Sequence, residues 1–177
     1  MSEKMHSSPS AQTTLFLVAN QSLRPNATVS KVADILEREA ASTMSSWVLR
    51  VRSAPQLFAV HLHQGNLCAH LPGLFRDLIT RLRSSHSMNS HTRLSVSAAE
   101  YGCVRLQQGY SAAMMVEESR LLLISIIDTL QKHVDKLDMD RLLVDVATIA
   151  DELDAQLAES IASYIWQSQC GLSPSAE

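Results

Sequence analysis

Apolar side chains recur three and four residues apart along most of this chain, and that single periodicity constrains its fold more than any other feature. Val32, Ile35, Leu36, Ala40, Met44, Trp47, Val48 and Val51 follow it, as do Leu71, Leu74, Phe75, Leu78, Ile79 and Leu82. A 3.6-residue repeat places each set on one face of a helix. The first helix is predicted from a cap at Thr28 or Ser30 to a stop before Pro55, and the second from Pro72 in its opening turn to the serine-rich break at 84–90. A third, about 92–108, carries Ser95, Ala98, Ala99, Gly102 and Cys103 at the spacing that lets another helix approach closely. The fourth, about 112–134, is apolar nearly all round between Leu121 and Leu130 and is expected to be central. Its polar line of Glu117, Arg120, Asp128 and Gln131 is interrupted by Ile124, a candidate partner contact.

The fifth helix, about 139–167, keeps Leu143, Val146, Ala150, Leu153, Leu157 and Tyr164 on one seam broken only by Ser160. Asp138, Asp145, Glu152 and Glu159 recur every seven residues on a face expected to be solvated. Residues 53–69 lack a clean period and read as a connection or a short irregular helix, with weak strand character only at Leu57 to Leu62. The expected fold is all-α: five helices in a globin-like or bundle arrangement. A single domain at 29–168 is predicted, after a flexible lead at 1–28 and before a polar tail at 169–177.

Charge narrows the function. Fifteen Lys+Arg against eighteen Asp+Glu leave a net charge of −3, so no basic field gathers nucleic acid or an anionic membrane. The charge is uneven: residues 31–110 carry nine basic and five acidic groups, and residues 111–177 four and twelve. The two halves, +4 and −8, are expected to attract each other within one subunit or between two. No apolar run approaches the roughly 20 residues that span a bilayer, no signal-peptide pattern opens the chain, and three scattered cysteines do not form a disulfide framework. A cytoplasmic location with reduced thiols is expected.

Candidates for chemistry are few. His61, His63, Cys68 and His70 place four soft ligands within ten residues, the type of set that closes a tetrahedral zinc site. Their H-x-H-x4-C-x-H spacing matches no common zinc module, and ordinary loop and helix-start histidines explain them more simply, so no metal is assigned. Arg76, Arg81, Arg83 and Arg93 could hold an anion or dock the acidic fifth helix of another subunit, but a solvated helix face explains them more simply, since no aromatics interleave with them for base stacking. On the expected helices, Glu100, Glu117, Glu118, Glu152 and Glu159 have no His three residues later, which a di-iron bundle requires, and no phosphate-cradling glycine motif or nucleophile elbow occurs. A haem needs a proximal His in mid-helix, and the only His on a strongly apolar helix, His133, stands at its very end. Trp47 and Trp166 read as core or seam aromatics, and Met114 and Met115 as core or as the lining of an adaptable pocket. No cofactor and no enzymatic activity are expected.

One run is too specific for periodicity alone. Ala99-Glu100-Tyr101-Gly102-Cys103-Val104-Arg105-Leu106-Gln107-Gln108-Gly109-Tyr110-Ser111, followed by Glu117-Glu118-Ser119-Arg120-Leu121, resembles the N-terminal domain family of the stressosome protein RsbRD. That family shows an A-x-H-G-x-x-R-x-x-Q-G-Y-S pattern leading into an E-x-x-x-L helix; here Tyr101 stands where the family has His. Trp47 and His70-Leu71-Pro72-Gly73-Leu74-Phe75 also look like family features. The resemblance implies an input module of the kind placed before STAS or histidine-kinase outputs, similar to a haem-free, globin-like dimer. Sensing or regulation through a homodimer and a kinase or STAS-type partner is therefore expected, with Gly102, Arg105, Gln108, Gly109, Tyr110 and Glu117 as the motif residues. The alternative is a small-ligand or metal sensor using the His/Cys cluster or the Met114/Met115 region. By residue chemistry, Gly102 and Gly109 serve close contact and helix termination, Ser111 caps, and Arg105 pairs with Glu117 or Glu118.

Overall fold

The computed structural model describes residues 31–57, 67–84 and 95–170. Six α-helices run through them in chain order: α1 Val32–Arg38, α2 Ala40–Ser53, α3 Leu71–Arg83, α4 Val96–Gln107, α5 Ala112–Gln131 and α6 Met139–Cys170. Short 3-10 turns at Pro55–Leu57 and Val134–Lys136 follow α2 and α5. No strand occurs among the described residues, so the chain is all-α there. The expected lead at 1–28, the weak strand at 57–62 beyond Leu57 and most of the polar tail lie outside the described residues; Gln169 and Cys170 belong to α6. No described helix is long and apolar enough to cross a membrane.

The expected first helix is two helices. Lys31 precedes α1, while Thr28 and Ser30 lie outside the described residues. The break falls at Glu39, whose φ of −94° and ψ of 10° leave the helical region. Ser42 and Thr43 explain it: both hydroxyls donate to the Glu39 carbonyl at 2.9 Å, a local back-bonding that bends helices. The bend lets α1 bury Val32, Ala33, Ile35 and Leu36 while α2 turns Trp47, Val48 and Val51 into the same core. α5 ends three residues earlier than its pattern predicts, and His133 just beyond it directs Nδ1 to the Thr129 carbonyl and Nε2 towards Glu39.

The largest helix-helix contact is between α4 and α6, and it is made by small residues, as the sequence predicts. A Cβ built on Gly102 would lie 1.9 Å from the Ser160 carbonyl oxygen, so the two backbones touch there. The Ser160 hydroxyl lies 2.8 Å from the Ala98 carbonyl. Ser160 is therefore no fault in the α6 seam; it is the small residue that the contact with α4 requires.

The rest of the α6 seam is rotated from the expected one. Leu153 of the expected seam is buried, and Val146, Leu157 and Tyr164 are partly buried against the core, but the fully buried line runs through Ile149, Leu153, Gln156 and Ser160, and Leu143, expected at the head of the seam, is 82% exposed. Trp166, read as core or seam, is 70% exposed; Trp47 is buried as expected. The acidic residues Asp138, Asp145, Glu152 and Glu159 are half-buried rather than solvated. Burial raises the carboxyls of Asp145 and Glu152 above their ordinary range. Charge attraction between the halves acts within the chain: Arg50 pairs with Asp128, and Arg81 lies 3.6 Å from Asp151 on α6. Arg83 instead holds Asp34 and Glu37 of α1. Arg93 lies outside the described residues.

Candidate functional site

The turn between α4 and α5 explains why the motif spacing is fixed. Gly109 takes φ of 79°, the left-handed conformation glycine tolerates best. Its N–H donates to the Leu106 carbonyl and the Tyr110 N–H to the Arg105 carbonyl, each at 3.0 Å, which is the paired closure of a Schellman cap. Ser111 then caps α5, accepting from the Met114 N–H at 3.3 Å. The turn throws Tyr110 back across the last turn of α4, where its ring lies 4.7 Å from the Arg105 guanidinium. The Tyr164 hydroxyl of α6 donates to the Tyr110 carbonyl at 2.9 Å, tying the turn to the long helix.

Arg105 and Glu118 meet beneath this turn, both essentially without solvent exposure. Arg105 Nε donates to Glu118 Oε2 at 2.9 Å and Nη2 to Oε1 at 3.2 Å. The Tyr110 hydroxyl donates to Oε1 at 3.0 Å, and the Tyr101 hydroxyl donates to Oε2. Four donors thus surround one carboxylate, and none of these contacts offers an acceptor for a carboxyl proton. Burial raises the Glu118 pKa and the Arg105 charge opposes it; the donor set favours the ionised form. Burial likewise raises the two tyrosine hydroxyls, with the Glu118 charge adding to it, so both remain protonated donors.

The remaining Arg105 hydrogens reach outward. Nη1 donates to Gln108 Oε1 at 2.6 Å, and Nη2 donates to the Leu67 carbonyl at 2.9 Å. His70 Nε2 stands 3.3 Å from the same Nη2, and its ring packs 4.2 Å from that of Tyr101. Trp47 of α2 donates its indole N–H to the Glu118 backbone carbonyl at 3.0 Å. One ion pair thereby joins α2, α4, α5 and the approach to α3.

The sequence candidates fall into this arrangement unequally. Gly102, Arg105, Gln108, Gly109 and Tyr110 all take part in the network or in the packing that frames it. Glu117 does not: the partner of Arg105 is Glu118, and Glu117 faces outward to hold Arg120 at 2.7 Å. Successive helical residues point about 100° apart, so only one of the two glutamates can face the core. Ile124, the candidate partner contact, is half-buried on α5. Met115 is core and Met114 packs against it.

His61 and His63 lie outside the described residues. Cys68 is half-buried with its thiol pKa raised by burial, and His70 turns one ring nitrogen to a guanidinium. No cluster of three metal-ligating side chains occurs among the described residues. His70 and Tyr101 escaped the sequence reading as network members. Their signals were the apolar helix start after His70 and the aromatic at the family's His position, and neither reveals a buried hydrogen bond.

Burial, and then the Arg105 charge, pull the His70 pKa from 6.5 down to about 3. Between those values the unfolded chain binds a proton that the folded chain excludes. Stability is therefore full above about pH 6.5 and falls as the pH drops through the window. Taking the pH from 7 to 5 is expected to remove about 2 kcal/mol through this group. His70→Phe, compared with the parent in urea unfolding at the two pH values, should lack that component; an unchanged difference would contradict the burial of a neutral imidazole.

No family model, curated protein or solved structure matches the chain.

Proposed function

We propose that this chain is a non-enzymatic sensory or regulatory module that works by dimerising and by contact with a signalling partner of kinase or STAS type. The motif resemblance to RsbRD input domains supports that class. The chemistry of the motif supports it too, because its ionised residues are spent on one another: a carboxylate with four donors has little basicity left for a substrate. The observation that carries the reading is the outward face of α6. Met139, Leu143, Val144, Ile165 and Trp166 stand 46–82% exposed along it, with exposed Ala147, Ala155, Ala158 and Ala162 between. Alanines at three- and four-residue spacing flanked by large apolar groups suit a second helix lying alongside.

A second copy of the chain is the expected occupant of that face. Light scattering should then give about twice the 19.5 kDa chain mass. The double variant Leu143→Glu/Ile165→Glu should return the chain mass with helicity unchanged, whereas Ile124→Glu should leave the dimer intact. A parent protein that stays at the chain mass at every concentration would contradict the dimer.

A further inference from the structure

Among the described residues two buried side-chain polar atoms lack hydrogen-bond partners, His70 Nδ1 and Gln156 Oε1, and both residues line the same cavity. Its volume is about 30 Å³. Among its walls are the apolar side chains of Trp47, Leu71, Leu122 and Leu153, all buried. The chemistry of the two atoms follows from their neighbours. Arg105 has only donors, so His70 Nε2 beside it is the acceptor and the ring proton sits on Nδ1. Gln156 Nε2 donates to the Leu74 carbonyl at 3.1 Å and to Glu152 Oε1 at 2.9 Å, which fixes the amide with its oxygen as the unpartnered acceptor. Gln156 is only 4% exposed. The residues around the cavity therefore hold one unpartnered donor and one unpartnered acceptor, among walls that are apolar except at Tyr101, Glu118, Ser119 and Ser160.

We propose that this cavity, between the start of α3 and the middle of α6, binds a small neutral alcohol whose hydroxyl accepts from His70 Nδ1–H and donates to Gln156 Oε1. A hydroxyl satisfies both groups with one atom, and each buried group left unpaired carries a desolvation penalty. A charged ligand is disfavoured because the carboxylates beside the cavity are already engaged, Glu118 by Arg105 and Glu152 by the Gln156 amide. The volume holds about two water-sized groups, so the carbon chain is short. Ligand in this place would link the residue that heads α3 to a residue of α6, next to the Arg105–Glu118 network. The inference is independent of the dimer contact.

Ethanol is the probe, and acetonitrile, equal in heavy atoms but without a hydroxyl donor, is its control. In 15N NMR of the full chain, ethanol should move the His70 ring and Gln156 side-chain amide signals, saturating in the millimolar range that so few atoms allow. Acetonitrile should bind at least tenfold more weakly. Gln156→Leu should weaken ethanol at least tenfold, and His70→Phe provides the same reading should Gln156→Leu fail to fold. Shifts that never saturate, equal binding of acetonitrile, or water alone in the cavity of crystals grown with ethanol would each overturn the proposal.

Discussion

Arg105→Met is expected to lower the unfolding free energy by about 3–5 kcal/mol, a large share of what a single domain possesses. The loss arises because Glu118 stays behind, buried, with two tyrosine hydroxyls but no cation. The pair itself is not a large net source of stability, since desolvating both ions offsets most of their attraction. Removing both charges should therefore hurt less than removing one. Arg105→Met combined with Glu118→Gln, whose amide oxygen still accepts from the tyrosines, should recover more than about 1 kcal/mol relative to Arg105→Met alone. Urea unfolding of the four proteins of this cycle gives the coupling directly. Strictly additive losses would mean that the two residues do not act as a pair.

Gly102→Ala should cost about 3 kcal/mol, the upper range for forcing extra volume into a packed interior. The added Cβ would meet the Ser160 carbonyl oxygen at 1.9 Å, and a backbone oxygen cannot rotate away as a side chain would. α4 and α6 must separate, loosening the hydrogen bond between Ser160 and the Ala98 carbonyl. For a chain of this size, the melting temperature should fall by about 6–12 °C. The same substitution at Gly109 has open space around its Cβ and only a φ of 79° against it, so its cost should be nearer 1 kcal/mol. Equal effects at the two glycines would contradict the close contact of α4 with α6.

The period of the apolar residues was enough to locate the helices, because burial acts on every turn of a helix and leaves a repeated mark. It failed where one local interaction decides. The break at Glu39 comes from two hydroxyls bonding one carbonyl, and an uninterrupted apolar pattern runs straight across it. Along α6 it was right in part: Leu153 is buried and Val146, Leu157 and Tyr164 pack against the core, but the fully buried line through Ile149, Gln156 and Ser160 lies to one side of them and Leu143 is exposed. Only the small surface of Gly102 selects that line, by drawing Ser160 inward.

The motif was readable as a unit because its parts are local: a left-handed glycine, a cap and a short reach from Arg105 to the next helix. The choice of Glu118 over Glu117 was not readable, since it depends on which face of α5 meets α4. The contributions of Trp47 and His70 were also hidden, because they reach Glu118 and Arg105 from 71 and 35 residues away. The half-burial of the acidic residues on α6 shows the same limit: a regular charge pattern does not say which neighbour covers it.

Acrylamide quenching of tryptophan emission across a range of protein concentrations tests the central claim most directly. Trp47 is 1% exposed and Trp166, on the outward face of α6, is 70% exposed, so the readily quenched signal belongs to Trp166. If that face is covered by a second copy, Trp166 emission should shift to the blue and lose its quenching as concentration rises. Emission that stays red and fully quenchable at every concentration, with the mass held at that of one chain, would contradict the account.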